Sequence, residues 1–255
     1  MKQILFPLLL LALLTAASAH DHIEIGENPG DPSQLFMEGP AFQLALWVPR
    51  GEPFSGYFPD FPGGSFACEL TFSTETNALD FAAGSLVRIE LVSVSGPAGG
   101  SFSFWEAGTS SPTWSRPTGW TAAGDDRPAI VVYEDPTTGY GHLHGRAFTT
   151  DREGTYTVTF RAVDEAAQRT PSPLKTVTFR AQAPPALALS VGATNARIAF
   201  TTRLNLSCDL QVCEDLATDQ WQTIASWWDG AAIGREFYHP IGLKKRAFYR
   251  LVEYW

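Results

Sequence analysis

The chain has 255 residues, of which 44% are hydrophobic, 13% aromatic and only 18% charged, with a formal net charge of -9. That composition excludes an intrinsically disordered chain and supports one large domain or two modest ones with real cores. The acidic balance argues against nucleic acid or an anionic membrane as the main partner and suits a protein that attracts cations.

Residues 1–19 read as a secretory signal peptide, with Lys2 at the start, an apolar run over residues 4–14 and a small-x-small cleavage site at Ala17-Ser18-Ala19. The apolar run is shorter than the roughly 20 residues that a bilayer span needs. No cysteine follows it to carry a lipid, so the expected location is extracytoplasmic: secreted, periplasmic or cell-surface. Cleavage would leave His20 as the mature N-terminus, followed by Asp21 and His22, and loss of Lys2 takes the net charge to -10. A free amine, an N-terminal imidazole and a third-position histidine form a nitrogen ligand set well suited to copper or nickel. The cysteines, Cys68, Cys208 and Cys213, are odd in number and lack a Cys-x-x-Cys spacing, so no cysteine zinc site is indicated. Cys208 and Cys213 sit five apart in one expected strand and should not bond to each other.

The alternating segment His22-Ile23-Glu24-Ile25 predicts an opening strand ended by Gly26, with His22 and Glu24 on one face and the isoleucines on the other. Residues 28–33 read as a loop, 42–48 as a strand, and 49–64 as a long ordered loop rich in Pro, Gly and aromatics. Strands are expected at 66–72, 86–94 and 101–105, followed by a loop at 110–126 that carries Trp114 and Trp120. Residues 129–133 and 140–148, joined by the turn-forming Asp135-Pro136-Thr137-Thr138-Gly139, should pair as an antiparallel hairpin. The segment Asp151-Arg152-Glu153-Gly154-Thr155-Tyr156 has the form of a tyrosine corner and opens a strictly alternating strand. A final strand, 175–181, leads to the stiff linker Gln182-Ala183-Pro184-Pro185. The expected architecture is all-β: an immunoglobulin-like β-sandwich over residues 20–183 and a smaller β-sandwich module over 184–255. The second module should hold five short strands, with His239-Pro240 in a loop.

Four of the 5 histidines occur as two His-x-His pairs, His20 with His22 and His142 with His144. Residues two apart in a strand point to one face, so each pair presents two imidazoles side by side. If the two strands are neighbours the pairs converge. Four nitrogens, or three with Glu24, then satisfy tetrahedral zinc. Participation of the His20 amine favours copper.

The residues His22-Ile23-Glu24-Ile25-Gly26, Ile89-Glu90-Leu91-Val92-Ser93-Val94-Ser95-Gly96-Pro97, Gly141-His142-Leu143-His144, Ala147-Phe148-Thr149 and Gly154-Thr155-Tyr156 carry a likeness. Through them the first domain resembles the choice-of-anchor M family, which includes the surface-anchored repeat of actinobacteria. The resemblance covers about residues 20–181 and implies a cell-surface or exported protein found alongside metal-uptake transporters. It departs at Arg146, where the family tends to carry an aromatic residue, and no wall-anchoring tail follows, which favours a released or periplasmic protein. The second module is similar to short β-modules that end many exported planctomycete and verrucomicrobial proteins, through Asp219-Gln220-Trp221 and Phe248-Tyr249-Arg250-Leu251.

Three functional classes follow. The first is an exported metal-binding protein with one zinc or copper ion held by His20, His22, His142, His144 and Glu24, linked to metal acquisition or storage. The second is a glycan-binding or adhesive surface module without a functional metal, for which Trp105, Trp114 and Trp120 should share one exposed face. The third is a copper-dependent oxidative enzyme built on the N-terminal histidine. No serine triad, carboxylate pair or glycine-rich phosphate loop stands out.

Overall fold

Several strands, most plainly residues 154–164, bury one row of side chains and turn the other outward, whereas others, such as residues 146–150, are buried on both faces. The computed structural model describes residues 22–52, 54, 58–74, 79, 80, 82–124, 126–132, 141, 146–203, 206–229, 232–242 and 246–254. Among them are eighteen strands and no helix.

The first twelve are β1 (His22–Asn28), β2 (Asp31–Glu38), β3 (Phe42–Val48), β4 (Ser65–Glu69), β5 (Thr71–Ser73), β6 (Val87–Ser95), β7 (Ser101–Glu106), β8 (Trp114–Pro117), β9 (Ala129–Val131), β10 (Arg146–Thr150), β11 (Gly154–Asp164) and β12 (Lys175–Gln182). The last six are β13 (Ala188–Val191), β14 (Asn195–Thr201), β15 (Leu206–Cys213), β16 (Gln222–Asp229), β17 (Gly234–Pro240) and β18 (Phe248–Tyr254).

A small sheet, β2-β1-β5, adjoins a nine-stranded sheet of order β8-β7-β10-β4-β3-β12-β11-β6-β9. The long sheet turns about the parallel pair β3 and β12, so that β7-β10-β4-β3 and β12-β11-β6 form two layers. The arrangement is all-β and sandwich-like. Past β8 the chain crosses to the free edge of β6, where Val94 N–H donates to the Trp120 carbonyl at 3.0 Å and Ala122 N–H to Val92 at 2.8 Å. The layers are sealed by phenylalanines. Phe148 on β10 lies 5.4 Å from Phe102, 5.4 Å from Phe104, 5.6 Å from Phe179 and 6.0 Å from Phe160 between ring centres. Each such ring contributes about 1.5–3 kcal/mol by leaving water.

β11 shows the expected alternation, with Tyr156, Val158, Phe160 and Ala162 buried and Thr157, Thr159 and Arg161 half-buried. The Tyr156 hydroxyl donates to the Arg152 carbonyl at 3.1 Å, closing the tyrosine corner.

Three local expectations are corrected. Among the described residues, the hairpin expected of 129–133 and 140–148 is not formed: β9 pairs with β6 at one edge, whereas β10 lies between β4 and β7. Phe148 belongs at the centre of the aromatic core, and only the inner position of β10 puts it there. The strand expected at 66–72 breaks at Leu70 into β4 and β5, which join different sheets. The segment read as a loop at 28–33 ends inside β2, whose polar first half lies at an exposed edge and hides the Leu35 and Met37 alternation that follows.

The last six strands make two three-stranded sheets, β13-β14-β17 and β16-β15-β18, with their own core of Ile198, Phe200, Cys208, Leu210 and Leu251. His239 lies in β17 rather than in a loop, and its Nδ1 meets the Tyr249 hydroxyl of the facing sheet at 2.8 Å. Arg250 reaches back to Glu52 and lies 4.2 Å over the Trp221 ring, tying this module to the loop after β3. All three cysteines are buried.

Candidate functional site

The site is organised by the register of β1 against β5. The two strands run parallel with His22 opposite Thr71, Ile23 opposite Phe72 and Glu24 opposite Ser73. Register partners share a face, so His22, Glu24, Thr71 and Ser73 line one side while Ile23, Ile25 and Phe72 enter the core. This polar side is covered. Glu24 is 9% exposed, Thr71 2% and Ser73 0%, and His22 is half-buried at the start of the strand.

Thr74, the residue after β5, anchors Gly141. Its N–H donates to the Gly141 carbonyl at 2.8 Å, and the Gly141 N–H donates to the Thr74 hydroxyl oxygen. Gly141 immediately precedes His142. The backbone that leads into the second His-x-His pair is therefore fastened one residue beyond the register partner of Glu24. Strands are spaced about 4.8 Å apart and rise about 3.3 Å per residue, so the Gly141 anchor on Thr74 lies one residue along from the Glu24 register and three residues, about 10 Å, along from that of His22.

Close backbone packing fixes β1 in place. Gly39, at the end of β2, has φ +135, and a Cβ there would collide with the His22 carbonyl oxygen. A Cβ on Gly26 would strike the Asp80 carbonyl, to which Glu27 N–H donates at 2.9 Å. Farther along β1, the Glu27 carboxylate accepts from Arg169, which also donates to Ser85 Oγ at 3.0 Å and to the Ala83 carbonyl at 2.9 Å. Asp164 then gathers this corner: its carboxylate accepts from Ser85 Oγ and from the backbone N–H groups of Leu86, Ala166, Gln168 and Arg169 at 2.8–3.0 Å. Burial works against its charge, but these donors outweigh burial and hold the carboxyl below the usual carboxylate range.

Of the five sequence-predicted ligands, His22 and Glu24 share the covered polar face just described. His20, His142 and His144 lie outside the described residues. Among the described residues no three His, Cys, Asp or Glu side chains group closely enough to hold a metal ion. Glu69 is a position the sequence reading missed. Phe66, Cys68, Leu70 and Phe72 all enter the main core, which turns Glu69 to the same side as Thr71 and Ser73. Its Oε1 is buried and has no hydrogen-bond partner among the described residues. The signal was the alternation itself, which runs unbroken through Leu70 although the sheet pairing does not.

No protein-family model matches this chain, and no curated protein does.

The tryptophans do not form the row that a glycan platform on the first domain requires. Trp105 is buried and its indole N–H donates to Thr149 Oγ1 at 2.8 Å. Trp114 and Trp120 pack back onto the main core, the latter with Arg116 5.3 Å above its ring. Arg146, where an aromatic residue was anticipated by resemblance, is buried and donates to the Val131 carbonyl.

Proposed function

We propose that this chain is an exported metal-binding protein whose site is built from His20, His22, His142 and His144, or from three of them with Glu24, and whose ion is zinc or copper. The observation that supports the reading is the anchoring of Gly141, the residue before His142, on Thr74 at the end of β5, the strand that pairs with the His22 and Glu24 strand β1. The donor set fits the chemistry. Imidazoles with one carboxylate suit tetrahedral zinc, and an N-terminal amine added to them suits copper. The buried Glu69 Oε1, with no hydrogen-bond partner among the described residues, is a carboxylate oxygen that a cation would compensate. The bound ion would supply a positive charge on this polar face, and its role is acquisition or storage in partnership with a metal-uptake transporter, as the resemblance to the choice-of-anchor M family implies.

The test is metal analysis of the mature protein, secreted by its own leader, with its N-terminus sequenced. About one equivalent of zinc or copper per chain is expected, lost in the His142→Ala/His144→Ala double variant and weakened in Glu24→Gln by about 10–100-fold. A mature chain that folds and takes up neither ion overturns the reading, as does uptake that the double variant leaves unchanged.

A further inference from the structure

The outer face of the β16-β15-β18 sheet carries a feature that no part of the metal site uses. Ser207 on β15 is opposite Trp228 on β16 and opposite Tyr254 on β18, so the three side chains form one row across the sheet. Cys208 and Leu210 enter the module core and Leu206 is buried, which turns this row to the outside. Trp228 is 74% exposed and Tyr254 43%. The next row holds Ser226, Asp209 and Val252, and Asp209 accepts a hydrogen bond from the Tyr254 hydroxyl at 2.9 Å. That bond holds the tyrosine ring in place.

We infer that this face is a binding strip for a neutral polysaccharide, with Trp228 and Tyr254 as stacking platforms and the Ser207–Asp209–Ser226 floor supplying hydrogen bonds. The two rings stand on strands two spacings apart, roughly 9–10 Å, comparable with two pyranose units of an extended glycan. An exposed indole is a rigid, amphipathic surface that costs little ordering entropy on binding. The ligand's chemistry follows from what lies between the rings. A serine there leaves no continuous apolar patch for a helix or a second copy of the chain to bury. The six positions of the two rows carry one carboxylate and no lysine or arginine, on a chain of net charge -9, so an anionic glycan or nucleic acid is repelled. Arg250, farther along the face, is already engaged by Glu52 and Trp221.

The test is retention of the full mature chain on insoluble cellulose, chitin and xylan, with alginate as the anionic comparison and EDTA present in a parallel set. Retention on at least one neutral polymer is expected, none on alginate, and no change with EDTA, which separates this site from the metal site. Trp228→Ala should lower the affinity by at least about tenfold while leaving the urea midpoint unchanged, because the ring is mostly in solvent. Trp228→Phe should recover part of that loss. No retention on any neutral polymer overturns the inference, and so does retention that Trp228→Ala leaves intact. Concentration-dependent dimers that Trp228→Ala dissolves would overturn it in favour of self-association.

Discussion

Removal of the Asp164 carboxylate should be among the most damaging single changes in the first domain. The side chain is 6% exposed and accepts five hydrogen bonds, from Leu86 N–H at 2.8 Å, Ala166 N–H at 3.0 Å, Ser85 Oγ at 3.0 Å, Gln168 N–H at 2.8 Å and Arg169 N–H at 2.9 Å. Bonds to a charged acceptor contribute about 1.5–3 kcal/mol each when measured singly, but members of one network do not add. Several of the donors belong to an exposed turn where water can replace the carboxylate, whereas Ser85 is fully buried. Asp164→Ala should therefore cost about 3–4 kcal/mol at pH 7, within the range for breaking a buried charged network.

The effect must also depend on pH. Burial raises the carboxyl's pKa, but the Leu86, Ser85, Ala166 and Arg169 donors lower it further, so the folded value lies below the unfolded one. The stabilisation is therefore complete above the unfolded pKa of about 3.9 and is lost as pH falls through the depressed folded value. Urea unfolding of the parent and Asp164→Ala at pH 7 and at stepwise lower pH would measure both. The gap between the two proteins should be widest at pH 7 and shrink in acid. A cost below about 1 kcal/mol at pH 7, or a gap that stays constant into acid, would refute the reasoning.

Phe148→Ala should cost about 3–5 kcal/mol in the same assay, because it opens a cavity between Phe102, Phe104, Phe160 and Phe179. Tyr156→Phe removes only the hydroxyl that donates to Arg152 and should lower stability by about 1 kcal/mol without changing the denaturant slope. Gly39→Ala forces a Cβ onto the His22 carbonyl at φ +135, so it should lower stability by at least about 2 kcal/mol and reduce metal uptake in proportion to the displacement of β1. Burial pushes the Glu253 carboxyl up, opposed by Arg203, so its contribution is largest in acid and is lost as pH rises through the raised folded value. The stability of Glu253→Gln relative to the parent should accordingly rise from pH 4 to pH 7, read by thermal melts across that range.

Much of the architecture was legible in the chain because alternation is a local signal. Ile23 and Ile25, or Val158 and Phe160, announce their face without reference to any partner, and the corner at Tyr156 is set by residues only four apart. Turn chemistry was less informative. The Asp135-Pro136 to Gly139 stretch reads as a hairpin turn, yet β9 and β10 pair with other strands, since the hairpin competes with the burial of Phe148 and loses. His239 was misplaced for a related reason: Pro240 is a loop signal, but at the last position of β17 it ends a strand without breaking its ladder.

For the candidate site, the residue types and their two-residue spacing are written in the sequence, because a strand turns alternate side chains to one face whatever surrounds it. The neighbours are not written there. That β1 lies beside β5, that Thr74 clasps Gly141 sixty-seven positions away, and that Glu69 shares the covered side with Thr71 and Ser73 are outcomes of long-range pairing. Pairing of that kind is decided by which arrangement buries the phenylalanine core and satisfies the backbone together. No local pattern encodes that choice, so only the folded structure could make it.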